Sequence, residues 1–124
     1  MSEKTKKIIY WILTAMVSFV FLGSAFGKLS GNADALKMAS DFGIDAKTYM
    51  IIGIVELSCL ILFVIPRTGV IGTILLASYM GGAIATHLEH NVSIIAPVMV
   101  QTFMLIVAFY RFPVLRNTLL SSIK

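Results

Sequence analysis

Long runs of apolar residues limit what this sequence can fold into. A transmembrane helix needs about 20 mostly apolar residues, and four segments meet that need: residues 8–27, 48–66, 68–87 and 93–110. Of the 124 residues, 58% are hydrophobic and 13% are charged, whereas soluble domains carry about 25% charged residues. A chain this short has too much surface to hide so many apolar side chains from water. We therefore predict an all-α fold, a transmembrane four-helix bundle forming a single membrane domain over residues 1–124.

The one long connection, residues 28–47, predicts a short helix between the first and second spans. Asn32 is a favoured residue for capping the start of a helix, and Gly43 suits its end. Leu36 and Ala39 repeat at helical spacing between them. We expect this helix to lie in the membrane interface. An amphipathic loop packed on the end of the bundle is the alternative.

Basic residues divide unequally between the two ends of the predicted bundle. One end holds seven of them: Lys4, Lys6, Lys7, Arg67, Arg111, Arg116 and Lys124. The other end holds three: Lys28, Lys37 and Lys47. Because Lys and Arg collect on the cytoplasmic side, we predict an N-in/C-in topology with both termini cytoplasmic. The basic end favours anionic lipid, and no basic run is interleaved with stacking aromatic residues, so nucleic acid is not a predicted partner.

Small residues predict where the helices approach one another. Gly23 and Gly27 are four residues apart in the first span, and Gly81 and Ala85 have the same spacing in the third, where Gly82 begins an overlapping repeat. This spacing is typical of close contact between transmembrane helices. We therefore predict that the first and third spans pack together through these residues. The alternative is that glycine is simply frequent in membrane helices.

Glu56 is the one acidic residue within a predicted span, and it lies about eight residues, or roughly 12 Å, from the outer end. An ionisable residue at that depth is costly and marks a candidate functional site. Tyr79 and Gln101 lie at the same depth on their own helices, while Lys28 and His87 lie nearer the outer mouth. These five residues form the predicted ligand-binding site, in an outward-opening polar pocket with no catalytic residue assigned. The alternative is a hydrogen bond from Glu56 that only fixes helix packing.

Two histidines raise the question of a metal. His87 and His90 share a helix face, and Glu89 lies between them. A metal site needs further ligands, and none follows nearby, so we predict a hydrogen-bonding His87 and no metal; heme ligation stays open. The sequence carries no nucleotide-binding loop, nucleophile elbow or zinc-peptidase motif, so a self-contained enzyme is not predicted.

Five short segments, from the start of the first span to the end of the third, carry a family pattern. They are Ile8-Ile9-Tyr10-Trp11-Ile12, Phe26-Gly27-Lys28-Leu29, Asp41-Phe42-Gly43, Ile52-Gly53-Ile54-Val55-Glu56-Leu57 and the stretch from Gly81 to Leu88. In order, spacing and topology they resemble the DoxX-like family of small four-helix membrane proteins, over most of the chain. The resemblance implies a multi-pass protein of the bacterial cytoplasmic (inner) membrane, with family polar positions at Lys28, Glu56 and His87.

The resemblance also implies a role beside redox enzymes. Members are associated with quinone-linked oxidoreduction, as small subunits beside sulfur-oxidising or terminal-oxidase components, and with oxidative-stress complexes. It implies an accessory subunit that binds a quinone-like or lipid-like molecule, with a quinone as cofactor and membrane oxidoreductase subunits and the lipid bilayer as partners. Two alternatives stay open: a proton-coupled transporter of the small multidrug type, and a non-catalytic membrane scaffold. Whether the chain forms an oligomer also stays open.

Overall fold

The computed structural model describes residues 1–123, which are helical over most of their length and contain no strand. Their helices are α1 (Glu3–Ser30), α2 (Ala33–Asp41), α3 (Ala46–Val64), α4 (Gly69–Glu89), α5 (Ile95–Arg111) and α6 (Pro113–Ser121), with a 3-10 turn at Pro66–Thr68. The predicted all-α class is confirmed. Lys124, one of the basic residues used to predict the topology, lies outside the described residues.

The lengths of the helices set how many can cross a membrane. Three are long and apolar enough by themselves: α1, α3, and α4 together with the turn before it. Helix α5 has 17 residues, which gives about 26 Å at the helical rise. It counts as a fourth span when α5 and α6, bent by 98° at their junction, are taken together. The residue before a proline is restricted to extended backbone, and Phe112 is extended before Pro113, which explains the bend.

Four helices pack in a ring in the order α1, α3, α4, α5, with α5 closing against α1. The buried core lies towards the end of the bundle where α5 ends, and its centre includes Phe21, Phe63, Leu76 and Met104. Many large apolar side chains on the outer surface of the ring are exposed. Such a surface is unfavourable in water and suits the hydrocarbon of a lipid bilayer.

Other glycines than those predicted make the close approaches between helices. A Cβ added to Gly23, Gly81 or Gly82 would contact nothing within 4 Å, so the prediction that they pack the first and third spans together is wrong. Helices α1 and α4 lie diagonally across the ring. One tight contact is instead at Gly72, where a Cβ would clash with the backbone of Phe63 on α3. Regular spacing of glycines in a membrane helix does not by itself identify a contact, because glycine is frequent there.

The connection between α1 and α3 forms the predicted short helix, α2. The Asn32 side chain accepts a hydrogen bond from the backbone of Ala35 at 2.8 Å, and Gly43 takes the left-handed conformation with φ +67° after the helix. Asp45 then caps α3 by accepting hydrogen bonds from the Thr48 hydroxyl and backbone at 2.6 and 3.3 Å. These bonds, the hydroxyl one foremost, lower the pKa of Asp45 below its ordinary value of 3.8.

Candidate functional site

Three helices bring polar side chains together around the buried Glu56. Its Oε2 atom accepts hydrogen bonds from Lys28 Nζ at 2.9 Å, from the Tyr79 hydroxyl at 2.9 Å and from the Ser24 hydroxyl at 3.2 Å. Ser24 and Lys28 belong to α1, Glu56 to α3 and Tyr79 to α4. We call these four residues the Glu56 cluster.

Close packing of α1 on α3 lets Lys28 reach Glu56. A Cβ added to Gly53 would lie only 2.7 Å from the Cβ of Lys28, so a glycine is needed where the two helices cross. Lys28 lies in the last turn of α1, and its ammonium also donates to the Ser24 hydroxyl, one turn earlier, at 2.6 Å. The Tyr49 ring lies 5.4 Å from the ammonium and covers it. A lysine stem is long enough to place its charge in this way well below the helix end.

The ion pair of the cluster is withdrawn from solvent. Only 10% of the Lys28 side chain and 2% of the Glu56 side chain are exposed. The cost of desolvating two charges offsets much of their attraction, so a buried ion pair is weak grounds for a purely stabilising role. Within residues 1–123, the three donors all reach Oε2 and none reaches Oε1. An ammonium has three donors, so the cluster keeps one acceptor oxygen and one N–H for a further partner.

A cavity of about 530 Å³ adjoins the cluster. Residues of α1, α3, α4 and α5 line its walls, and Met38, Phe42 and Ile44 cover it from α2 and the loop that follows. Its lining is mostly apolar, with polar side chains at Ser24, Lys28, Tyr49, Glu56, Ser78, Tyr79, Thr86 and His87. Small-molecule sites have roughly this size, about 300–1,000 Å³, and this mixture of apolar wall with a few polar groups.

The structure brings four of the five predicted site residues to one cavity. Lys28, Glu56, Tyr79 and His87 all line it, and the first three are in direct contact. Gln101 is not among the lining residues, and its Oε1 is buried with no hydrogen-bond partner within residues 1–123. Depth along a helix sets the height of a side chain in the bundle but not the direction in which it leaves the helix.

The two histidines pack at the α2 end of the cavity. His87 Nδ1 lies 2.7 Å from the carbonyl oxygen of Ala83, and His90 Nδ1 lies 3.0 Å from that of Thr86. The Phe42 ring lies against both, with centroids 4.8 Å from His87 and 6.0 Å from His90. Among the described residues, no three His, Cys, Asp or Glu side chains come together as a metal site. His87 thus lines the cavity beside Phe42, whereas His90 is exposed and does not line it.

Sequence reasoning missed Ser24 and Arg111. Ser24 lies one helical turn before Lys28 on the same face, and that spacing is its only signal. Arg111 is buried at the opposite end of the bundle, where its guanidinium donates to the last carbonyls of α3, at Phe63 (2.9 Å) and Val64, and lies 4.5 Å from the Trp11 ring. A positive charge is favoured at a helix C-terminus, so Arg111 joins α5 to α3 and takes no part in the cavity.

Comparison with known protein families gives a match that covers the whole of this site. The profile described as the DoxX-like family matches residues 12–110. That range holds every residue of the Glu56 cluster and every residue that lines the adjoining cavity. No curated protein and no solved structure shows a significant match to the chain.

Proposed function

The chain belongs to the DoxX-like family, and from that membership and the geometry of the site we propose that it binds a quinone-like or lipid-like molecule beside Glu56. We further propose that it does so as an accessory subunit of a quinone-linked oxidoreductase or oxidative-stress complex. The observation that carries the proposal is a buried, charged cluster at the wall of an apolar cavity between apolar helices. Ionisable groups at such depth are costly and mark ligand or proton sites.

The cluster offers complementary hydrogen bonds to an oxygen-bearing head group. The remaining N–H of Lys28 would donate to a carbonyl oxygen, and Oε1 of Glu56 would accept from a hydroxyl. A quinone presents the first kind of group and a quinol the second, so one site serves both redox states. The apolar wall would hold the ring and its substituents.

Charge distribution supports a topology for the proposal. Within residues 1–123, most basic residues lie at the end of the bundle that holds Arg111. They are Lys4, Lys6, Lys7, Arg67, Arg111 and Arg116. Because Lys and Arg favour the cytoplasmic side, we place both termini in the cytoplasm of a bacterium and α2 at the outer surface of its inner membrane. The Glu56 cluster then lies in the outer half of the bilayer.

Binding of a short-chain quinone to the purified protein in lipid nanodiscs tests the ligand proposal. We expect saturable binding by the natural chain. The double variant Lys28→Met/Glu56→Gln should bind at least about tenfold more weakly, as the loss of one charge-assisted hydrogen bond predicts. This variant leaves no unpaired buried charge. Glu89→Gln, at an exposed carboxylate outside the cavity, serves as the control, and equal binding by all three proteins would contradict the proposal.

Purification in gentle detergent, with the bound proteins identified by mass spectrometry, tests the accessory role. We expect subunits of a membrane oxidoreductase to accompany the chain. A partner that carries no redox cofactor, found together with a chain that binds no quinone, would favour the scaffold alternative.

A buried carboxylate is also what a proton-coupled transporter, the second candidate function, would need. In a proton-coupled exporter the carboxylate must be free to take up a proton or a cationic substrate. Here the Lys28 ammonium lies 2.9 Å from Glu56 and would have to be displaced. Liposomes that contain the protein alone, with an imposed pH gradient and a cationic dye, decide the matter: we expect no flux above protein-free liposomes. Proton-driven flux that Glu56→Gln abolishes would support the transporter.

A further inference from the structure

We infer that the cavity opens sideways into the lipid bilayer, through a gap between α1 and α5. This inference rests on the proposed function and narrows it to one class of ligand: a small polar head on a long apolar tail. The head would bind at the Glu56 cluster while the tail remains in the membrane.

Buried side chains cover most of the α2 end of the cavity; of the lining residues on α2 and the loop after it, only Met38 is exposed, at 45%. Phe42 and Tyr49, which line the cavity there, are only 6% and 5% exposed. Phe42 packs on His87 with a centroid distance of 4.8 Å, and the Lys28 side chain, which also lines the cavity, is only 10% exposed. A ligand arriving from the aqueous side would have to displace this buried layer.

The side of the cavity is open by contrast. Val20 lines the cavity and is 46% exposed, and Ser24, one turn further along α1, also lines the cavity and is exposed. Val20 lies ten residues before the last residue of α1, Ser30, or about 15 Å along the helix. This exposure therefore falls at the depth of the hydrocarbon and not at the membrane surface.

Packing locates the gap between α1 and α5. Towards the Arg111 end the two helices share the core, with Val17 of α1 beside Met104 and Val107 of α5. Towards the α2 end both helices line the cavity, at Val20 and Val100, and their contact is the least extensive between neighbours in the ring. Val55 of α3 also lines the cavity and is 47% exposed, but α3 packs extensively on both of its neighbours. Ser24, one turn beyond Val20, belongs to the Glu56 cluster. The polar side chains of that cluster therefore adjoin the gap.

The volume of the cavity explains why a long-tailed ligand would need a lateral gap. About 530 Å³ accommodates a ring-sized head group, whereas a long isoprenoid tail exceeds it. A tailed molecule can bind only if the wall is open at the depth where the tail already lies. Val20 and Ser24, the exposed lining residues of α1, mark that opening.

Two ligands with the same head test the inference: menadione, which has no tail, and menaquinone with a long isoprenoid tail, each titrated into nanodiscs at equal fractions of the lipid. We expect the natural chain to bind both. Val20→Trp should weaken menaquinone binding at least tenfold and change menadione binding less than threefold. Leu22→Trp is the matched control, because Leu22 is similarly exposed (48%) but does not line the cavity, and it should leave both affinities unchanged.

The outcomes separate this inference from the proposed function. Binding of menadione but not menaquinone overturns the lateral opening and leaves the site in place, while binding of neither overturns the site itself. Menaquinone that binds Val20→Trp as tightly as Leu22→Trp overturns the position of the gap. If Val20→Trp fails to fold, Val100→Trp on the α5 side takes its place with Met99→Trp as its control, since Val100 lines the cavity, whereas Met99 is exposed and does not line it.

Discussion

Replacing Glu56 with glutamine perturbs the centre of the site with almost no change in shape. The amide keeps an oxygen for the donors from Ser24 and Tyr79 but removes the negative charge opposite Lys28. Because 10% of the Lys28 side chain is exposed, its ammonium would be left nearly buried and without a counter-charge. The loss of stability therefore comes from the unpaired, buried ammonium and not from the lost hydrogen bonds.

The expected sizes of these effects differ enough to be told apart. Removing one partner of a buried ion pair costs about 3–5 kcal/mol, and we expect the low end for Glu56→Gln because Lys28 keeps the Ser24 hydroxyl at 2.6 Å. Tyr79→Phe removes one interhelical hydrogen bond, for which about 0.6 kcal/mol is typical and about 1.7 is the maximum. The double variant Lys28→Met/Glu56→Gln should recover most of the loss, since no charge is then buried alone.

Unfolding of five proteins, the natural chain, these three variants and the single variant Lys28→Met, in mixed micelles, by titration with SDS and far-UV circular dichroism, measures these free energies. We expect Glu56→Gln to be less stable than Tyr79→Phe and than the double variant, and the interaction energy from the double-mutant cycle to exceed about 1 kcal/mol in magnitude. The reasoning is refuted if Glu56→Gln costs no more than Tyr79→Phe, or if the two single changes simply add in the double variant.

Two further predictions concern packing away from the site. Gly72→Ala should cost about 3 kcal/mol, because its Cβ would clash with the backbone of Phe63. Gly81→Ala, with open space around it, should stabilise the protein by up to about 1 kcal/mol. Equal thermal midpoints of the two variants in detergent would contradict both expectations. Arg111→Lys should cost about 1–3 kcal/mol, because lysine lacks the planar fork that reaches two carbonyls. It should also shift the emission of Trp11, the chain's one tryptophan; an unchanged spectrum and stability would argue against that role.

Hydrophobic length explains why most of the helices could be predicted. The spans expected at 48–66 and 68–87 correspond to Ala46–Val64 and Gly69–Glu89, because an apolar run this long has few other stable states. The α2 helix was predictable from its capping residues, Asn32 and Gly43. Helix α6 (Pro113–Ser121) was not, because nine residues of mixed polarity carry no span and little periodicity.

For the site residues, the depth along each helix was predictable, but the direction in which each side chain points was not. Counting along the helices placed Glu56 and Tyr79 at one depth, and they are in contact. The same count included Gln101, which leaves α5 away from the cavity. The role of Ser24 could not be predicted, because serine hydroxyls in helices commonly donate to the backbone of their own helix, as Ser18 does here. The Ser24 hydroxyl instead donates to Glu56 on another helix.

The quinone content of the protein in its own membrane tests the central claim most directly. The chain would be extracted with its surrounding lipid into polymer-bounded discs, without detergent, and bound quinone quantified by mass spectrometry. We predict that the natural chain and Glu89→Gln retain near-stoichiometric long-tailed quinone, well above its share of the membrane lipid, and that Lys28→Met/Glu56→Gln falls to the level of that lipid. Equal quinone in all three samples would contradict a binding site at Glu56.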